Sequence, residues 1–244
     1  MRIVSTIEAR MGSTRFPGKT LSEIVGKPML ELIIERLKRA RGVDEIVMAT
    51  TTEPEDKVIT KLAERVGVKW YRGSSEDVLD RVLQAAKAYK ADIIVEMTGD
   101  NPLLEPELVD KAIDIYLNGN YDYVSNAIKE TYPDGLNVQV FSVKVLDEVA
   151  RLTNDPADRE NVSLYIYEHP EKYRLYNMEA PPEYYHPEYR WTVDTEEDIQ
   201  FVTAVYESLY YKKPDFSIAD IMKLLKEKPD LLKINARIKQ KPVR

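Results

Sequence analysis

Residues 8–20 gather cations, glycines and hydroxyl groups into one short segment, which reads Glu-Ala-Arg-Met-Gly-Ser-Thr-Arg-Phe-Pro-Gly-Lys-Thr. The chemically informative members of this segment are Arg10, Arg15, Lys19, Gly12, Gly18, Ser13 and Thr14. Glycine lets backbone N–H groups approach an anion closely, and the cations neutralise the charge of that anion. The segment therefore predicts a loop that binds a polyphosphate.

Other phosphate-binding patterns fit this loop less well. A Walker A motif has four residues between its first glycine and its Gly-Lys pair. Here five residues separate Gly12 from Gly18-Lys19, and one of them is Pro17. The loop also lacks the Gly-x-Gly of a dinucleotide-binding fingerprint. A solvent-exposed basic loop without a ligand is the remaining alternative.

Two aspartates are candidates for binding a divalent cation. Asp100 follows the apolar run 93–97, and Asp194 follows residues 189–193. Carboxylate oxygens are ligands that Mg²⁺ accepts, together with substrate phosphates and water. Each aspartate also has a structural alternative, because Asp100 suits an Asx turn and Asp194 suits a helix N-cap.

Alternating strands and helices must position these residues. Over the first 125 residues, short apolar runs alternate with segments of helical periodicity. The predicted strands are 2–7, 45–49, 68–71, 92–97 and 121–125, and the predicted helices are 28–41, 54–66, 76–90 and 106–117. This order predicts an α/β fold whose mostly parallel sheet carries helices on both faces. Ligands of such sheets bind beyond the carboxyl ends of the strands, where the candidate residues lie.

The alternation weakens after residue 126. Residues 136–141 and 189–193 are predicted strands, and residues 143–152 and 159–168 are predicted helices. Two capping-box patterns, at 195–198 and 217–220, predict further helix starts. We expect one domain over 1–244, with a C-terminal helical elaboration over about 195–244.

Composition excludes several classes of function. The 244 residues can bury a core without disulfides, and the absence of cysteine rules out Cys–zinc sites. Only two histidines are present, so a His-based triad is a poor explanation. The net charge of −7 argues against a nucleic-acid partner. No apolar run approaches eighteen residues and no signal peptide is apparent, so we expect a cytoplasmic protein with no membrane partner.

The first loop and seven later segments together resemble a known family. The segments are 9–19 (Ala-Arg-Met-Gly-Ser-Thr-Arg-Phe-Pro-Gly-Lys), 26–30, 46–50, 72–81, 98–102, 123–126, 133–136 and 190–194. They resemble the CMP-sugar synthetases, which activate acidic sugars with CTP. They are more similar to cytidylyltransferase-like proteins of the spore-coat polysaccharide biosynthesis F type. The resemblance implies a three-layer, Rossmann-like nucleotidyltransferase fold.

The loop chemistry and the resemblance together give a set of predicted site residues. The predicted catalytic residues are Lys19, Arg10 and Asp100. The predicted nucleotide-binding residues are Ala9, Arg10, Gly12, Ser13, Lys19, Thr50, Arg72, Gly73, Ser74 and Asp100. The predicted Mg²⁺ ligands are Asp100 and Asp194. The predicted acceptor-binding residues are Asn126, Asp134, Gly135 and Asn137, although Asp134-Gly135 is also a turn signal.

Two further positions need separate treatment. Related sequences have histidine where this chain has Asn161, and asparagine cannot take up a proton as histidine can. Arg81 belongs to the family match, but an i, i+4 pair with Asp77 on a helix explains it equally well. The acceptor or the mechanism of this protein therefore differs from its relatives if position 161 takes part.

The function implied is CTP-dependent transfer of a CMP group to a sugar acid or a phosphorylated small-molecule acceptor, with release of pyrophosphate. Mg²⁺ is the expected cofactor, and a homodimer is expected from the resemblance. A glycosyltransferase of similar fold is one alternative, disfavoured because Gly99-Asp100-Asn101 supplies a single carboxylate rather than Asp-x-Asp. A non-catalytic nucleotide-binding protein is the other, and it would not need two separated acidic residues.

Overall fold

The computed structural model describes residues 1–13 and 15–240. The strands of its main sheet are β1 (Ile3–Glu8), β4 (Glu45–Thr51), β5 (Lys69–Gly73), β6 (Ile93–Thr98), β7 (Tyr123–Ser125), β8 (Gln139–Ser142) and β9 (Leu175–Asn177). A separate short hairpin consists of β2 (Glu23–Ile24) and β3 (Lys27–Pro28). The helices are α1 (Met29–Leu37), α2 (Lys57–Val66), α3 (Val78–Ala88), α4 (Pro106–Asn118), α5 (Val143–Leu152), α6 (Pro156–Glu160), α7 (Leu164–Glu168), α8 (Glu196–Leu209) and α9 (Ile218–Glu227).

The main sheet has the strand order β5-β4-β1-β6-β8-β7-β9 over the described ranges. Strands β5, β4, β1 and β6 are mutually parallel, whereas β8 runs antiparallel to both of its neighbours. The predicted α/β fold with a mostly parallel sheet is confirmed. The carboxyl ends of β1, β4 and β6 lie side by side, so the loops after them meet at one edge.

Successive residues of β6 serve opposite faces of the sheet. Val95 packs into the larger core, to which α1, α2, α4, α8 and α9 contribute. Ile94 packs into a second core with residues of α3 and α5. Glu96 lies two residues further along this second face, towards the carboxyl end of the strand. The second face therefore turns from apolar to acidic as it approaches the loops.

Both predicted capping boxes are present in the C-terminal part. Thr195 accepts a bond from the N–H of Asp198 at the start of α8, and Ser217 and Asp220 cap α9 reciprocally. The tyrosine hydroxyl of Tyr206 donates to the Pro102 carbonyl at 2.6 Å, which ties α8 to the loop after β6. Residues 241–244 of the predicted C-terminal elaboration lie outside the described residues.

The predicted strand at 189–193 is wrong, because these residues form only an isolated bridge between Arg190 and Asp134. The predicted helix 159–168 is also wrong as a single element, since α6 ends at Glu160 and α7 begins at Leu164. Strand β9 and the β2–β3 hairpin were not predicted. No helix in the described ranges combines the length and the apolar character that crossing a membrane requires.

Candidate active site

The loop after β1 closes on itself around Met11. The Met11 carbonyl accepts bonds from the N–H of Ser13 at 2.9 Å and from the N–H of Gly18 at 3.0 Å. The Met11 N–H donates to Oδ1 of Asp56 at 2.6 Å. Gly18 has a φ of 76°, a conformation that favours glycine. These bonds hold the described residues of the loop in a compact shape, and Thr14 lies outside the described residues.

Lys19 reaches from this loop to the two predicted metal ligands. Its Nζ donates to Oδ2 of Asp100 at 3.1 Å, to Oδ1 of Asp194 at 2.8 Å and to the Val193 carbonyl at 2.7 Å. Burial on its own would lower the pKa of Lys19, but the two carboxylates outweigh it and raise that pKa. Residues that are 81 and 175 positions away from Lys19 in sequence thus surround a single ammonium group.

Asp194 lies among three cations. Besides Lys19, its carboxylate pairs with Arg15 at 2.8 Å and with Arg190 at 2.7 Å. Burial raises the pKa of Asp194, but Lys19, Arg190 and Arg15 together bring it below its ordinary value. The Nε of Arg190 pairs with the Asp198 carboxylate at 3.0 Å, so α8 helps to hold Arg190 in place.

Asp100 stands on a tight loop that needs a glycine. The Gly99 N–H donates to the Glu8 carbonyl at 2.8 Å, and a Cβ on Gly99 would lie 2.6 Å from that same oxygen. Oδ1 of Asp100 accepts a bond from the Thr98 hydroxyl at 2.6 Å. The loop after β6 is therefore pressed against the end of β1, which aims Asp100 at Lys19.

Two cavities meet at these acidic residues. The first, here called the cationic cavity, measures about 420 Å³ and is lined by Arg10, Arg15, Lys19 and Arg81 among others. Ala9 and Ser13 also line it. The arginine and lysine side chains come from the loop and from α3, so positive charge converges from two elements. The cationic side of this lining suits a polyanion.

The second, here called the acidic cavity, measures about 690 Å³ and is lined by seven carboxylate residues. They are Glu8, Glu96, Asp100, Glu130, Asp134, Glu160 and Asp194. Of these, Glu8, Asp100, Glu160 and Asp194 also line the cationic cavity. The two cavities therefore adjoin each other at Asp100 and Asp194.

Comparison with known proteins identifies the family of this chain. The family model described as "Cytidylyltransferase" matches residues 4–232. The chain belongs to the cytidylyltransferase family. It is a nucleotidyltransferase enzyme, which confirms the predicted class over the glycosyltransferase and the non-catalytic alternatives.

Similar proteins match nearly all of this cytidylyltransferase. The spore coat polysaccharide biosynthesis protein SpsF of Bacillus subtilis is 34% identical over 93% of this chain and 95% of its own. An uncharacterized protein of Methanocaldococcus jannaschii is 37% identical over 100% of this chain and 98% of its own. A cytidylyltransferase structure from Leptospira borgpetersenii superposes with a TM-score of 0.89 at 32% identity, covering 95% of this chain and 97% of that one.

Two of the predicted acceptor residues face the acidic cavity of the cytidylyltransferase. Asp134 and Asn137 line it, while Asn126 and Gly135 are not among its lining residues. Asn126 is buried and bonds through both ends of its amide, to the Leu136 carbonyl and to the Val138 N–H, each at 2.8 Å. It therefore shapes the turn that carries the other residues. Burial raises the pKa of Asp134 to about 6, although Arg190 opposes this rise.

The predicted nucleotide-binding residues do not all meet in the cationic cavity. Gly12 lies at a separate small cavity of about 200 Å³, which it shares with Arg10 and Ser75. Thr50 is fully buried, and its hydroxyl has no partner among the described residues.

The strand-end segment that contains Arg72, Gly73 and Ser74 is held together by its own bonds. Arg72 donates to the Thr51 and Glu53 carbonyls at 2.8 Å each. Ser74 accepts bonds from the backbone N–H groups of two following residues at 3.2 and 3.0 Å. These bonds fix the shape of the segment, and contact with a base stays a prediction.

Asp77 does not form a side-chain pair with Arg81. The Asp77 carboxylate caps α3 by accepting from the Asp80 N–H at 2.8 Å, and it pairs with Arg159 at 3.2 Å. Arg81 donates to the Ser74 carbonyl and lines the cationic cavity. The structure therefore shows no side-chain helix pair between Asp77 and Arg81, and Arg81 contributes positive charge to the wall of the cationic cavity.

The donor set at Asp100 and Asp194 fits a divalent cation that is shared with substrate. Both carboxylates already bind one positive group, the Lys19 ammonium. In the described part of the chain, no group of three or more acidic, histidine or cysteine residues forms a ready metal cage. Mg²⁺ commonly binds one or two carboxylates and completes its shell with phosphate oxygens and water. The residues present therefore suit Mg²⁺ arriving with a polyphosphate.

Sequence reasoning missed three polar residues of this region. Asp56 fixes the loop through Met11, and Glu8 and Glu96 stand side by side on the floor of the acidic cavity. Charged residues inside otherwise apolar strands were the available signal for both glutamates. Burial raises the pKa of Glu96 to about 8, and burial together with the nearby Glu96 raises the pKa of Glu8.

Proposed function

We propose that this cytidylyltransferase uses CTP and transfers its CMP group to a hydroxyl of a sugar-type acceptor. The observation that carries the proposal is Lys19, which joins Asp100 and Asp194 at the wall between a cationic and an acidic cavity. The cationic cavity suits the triphosphate, and the acidic cavity offers polar side chains to the acceptor. The polysaccharide-biosynthesis name of the Bacillus subtilis relative supports a sugar-type acceptor.

The reaction needs little covalent participation by the protein. The acceptor oxygen forms a bond to the α-phosphorus of CTP, the bond from that phosphorus to pyrophosphate breaks, and the hydroxyl proton is released. Positioning and charge stabilisation supply most of the catalysis in such a transfer. Lys19 and Arg10 are proposed to neutralise the triphosphate, with Ser13 adding a hydroxyl contact. Arg15 and Arg81 add positive charge on the same cavity wall.

Mg²⁺ is the proposed cofactor, with Asp100 and Asp194 as its protein ligands. When bound, the cation neutralises charge that develops on the phosphate oxygens. The Lys19 ammonium forms ion pairs with both carboxylates. We propose that it exchanges these partners for the triphosphate when CTP and the metal bind. The supporting carboxylate–arginine pairs hold Asp194 in place through this exchange.

The first test is the variant Lys19→Ala in a pyrophosphate-release assay with CTP, UTP, ATP and GTP, each with and without Mg²⁺. We expect turnover with CTP and Mg²⁺ in the wild type, and a loss of about 10²–10³-fold in the variant because a charge-stabilising group is removed. The control variant Lys61→Ala removes an exposed lysine on α2 and should retain wild-type turnover. Full activity in Lys19→Ala would contradict the proposal, and so would turnover with UTP, ATP or GTP in place of CTP.

We also propose that the enzyme acts as a homodimer, which the family resemblance implies. Sedimentation equilibrium of the full chain tests this, and a monomer at assay concentrations would overturn it.

A further inference from the structure

The acidic cavity has a strongly acidic lining, which the proposed binding of a triphosphate in the neighbouring cavity does not explain. Of the described residues that line it, none is a lysine or an arginine, whereas seven are aspartates or glutamates. Asp100, Asp134 and Asp194 each form an ion pair with a lysine or arginine that does not line this cavity. Glu8 and Glu96 have no such ion pair among the described residues, and two exposed glutamates, Glu130 and Glu160, add to the charge.

Glu8 and Glu96 sit together because of strand register. Glu96 pairs with Thr6 across the parallel β1–β6 ladder, and Thr6 and Glu8 point to the same face because they are two residues apart. Both glutamates therefore rise from one face of the sheet, at the floor of the cavity.

One oxygen of each carboxyl group lacks a hydrogen-bond donor, although Ser163 bonds to the Glu96 carboxyl group. Glu96 is only 4% exposed, and its Oε2 is buried with no partner in the described part of the chain. Oε1 of Glu8 is buried and unpartnered in the same way. A buried polar atom without a partner is costly and usually marks the place of a missing ligand or water. Both unpartnered oxygens can accept a bond from a hydrogen-bond donor that enters the cavity.

The chemistry of the floor selects among donors. An ammonium group offers three donors, no acceptor and a positive charge, which matches two adjacent carboxyl groups. A hydroxyl offers one donor and leaves the charge uncompensated. A carboxylate or phosphate offers only acceptors and would meet like charge.

We propose that the floor formed by Glu8 and Glu96 is an ammonium-binding subsite, and that the acceptor is an aminated polyhydroxy compound such as an amino sugar. This proposal rests on the proposed function and specifies its acceptor. A sugar acid or phosphate ester used as acceptor must keep its anionic group away from this floor. The hydroxyl that attacks CTP then lies at the opposite end of the acceptor, towards Asp100 and Asp194.

Three probes that differ at one carbon test the subsite. Glucamine, sorbitol and gluconate carry an ammonium, a hydroxyl and a carboxylate at the same end of one polyol chain. Each is titrated by NMR into the full-length enzyme, with and without CTP and Mg²⁺. We expect glucamine to bind about tenfold or more tightly than either of the others, because it alone brings a charge that pairs with buried carboxylates.

The matched variants are Glu96→Gln and Glu8→Gln, which keep side-chain volume and each replace a carboxyl group that can pair with an ammonium by a neutral amide. We expect the preference for glucamine to fall to about threefold or less in both, whereas Glu227→Gln on α9, an exposed control, retains it. Circular dichroism confirms that each variant is folded, and having two variants guards against the failure of one.

The outcomes separate the two proposals. A separate CTP titration tests nucleotide binding alone, so its failure overturns the proposed function and not the subsite. Equal binding of the three probes, tighter binding of gluconate, or no binding of any probe would overturn the subsite. Retention of the glucamine preference in both glutamine variants would overturn it as well.

Discussion

Two buried carboxyl groups in this enzyme differ in what surrounds them. Asp194 is met by Lys19, Arg15 and Arg190, which keep its pKa below the ordinary value. Glu96 is buried without a cation, and its pKa rises to about 8. Nearby cations thus favour the ionised form of Asp194, whereas burial favours the protonated form of Glu96. Their effects on stability with pH therefore have opposite signs.

Glu96 gives a prediction about pH and stability. An unfolded glutamate has a pKa near 4.5, and the folded one has a pKa of about 8, so the folded state binds the extra proton between these values. Its contribution to stability is complete below pH 4.5 and is lost as pH rises through 8. The free energy of unfolding should fall by up to ~1.4 kcal/mol per pH unit across this window. In Glu96→Gln this slope should be reduced by about one proton's worth.

Urea unfolding of both proteins at several pH values between 5 and 8.5 measures the two slopes. Glu227→Gln serves as control because its carboxyl group is exposed and should leave the slope unchanged. Parallel slopes in the wild type and Glu96→Gln would show that Glu96 is ionised in the folded protein at neutral pH.

Individual site residues were predictable to different extents. Lys19, Asp100 and Asp194 could be found because each follows a predicted strand, and strand ends meet at one edge of a parallel sheet. The bond between Lys19 and both carboxylates could not be predicted, since it depends on how residues far apart in sequence pack. Glu96 was not predicted as a site residue, because a pattern of apolar residues identifies a strand but does not reveal that one of its faces lines a cavity.

At the scale of elements, periodicity predicted the β/α alternation well and the later segments less well. The first half consists of buried strands and amphipathic helices, whose patterns are distinctive. Residues 189–193 look like a strand but make only one bridge, because Arg190 turns inward to bind Asp134, Asp194 and Asp198. Side-chain pairing replaces strand pairing there, and local sequence cannot distinguish the two.

The contact between the turn at 133–136 and residues 191–193 gives an element-level prediction. Gly135 has a φ of 105°, and a Cβ there would lie 2.5 Å from the Thr192 nitrogen and 2.7 Å from the Trp191 carbonyl carbon. Gly135→Ala should lower the free energy of unfolding by about 2–4 kcal/mol, because it adds both strain and a backbone clash. It should also weaken activity, since the turn carries Asp134.

The matched control is Gly12→Ala, where a Cβ would meet nothing within 4 Å and φ is not positive. Its unfolding free energy should change by less than about 0.5 kcal/mol. Urea denaturation of both variants checks the difference, and equal stabilities would mean that the turn relaxes without cost.

At the scale of the whole molecule, the C-terminal helices share a core with the sheet. Phe201 of α8 and Ile221 of α9 belong to the same buried cluster as Ile7 of β1. The N–H of Ile218 donates to Glu105 before α4 at 2.6 Å. These contacts join the C-terminal helices to the sheet, so we expect 1–244 to unfold as a single domain.

The two tryptophans allow this prediction to be tested, because they report on different parts of the molecule. Trp191 is fully buried beside the C-terminal helices, and Trp70 is 37% exposed on the edge strand β5. In the variants Trp191→Phe and Trp70→Phe, fluorescence follows one tryptophan while far-UV circular dichroism follows the whole chain. For each variant we expect the two thermal midpoints to coincide, as cooperative unfolding requires. The Trp191→Phe protein should melt lower than the other, because it loses buried contacts. Fluorescence and dichroism midpoints that differ by several degrees within one variant would mean that the C-terminal part unfolds as a separate unit.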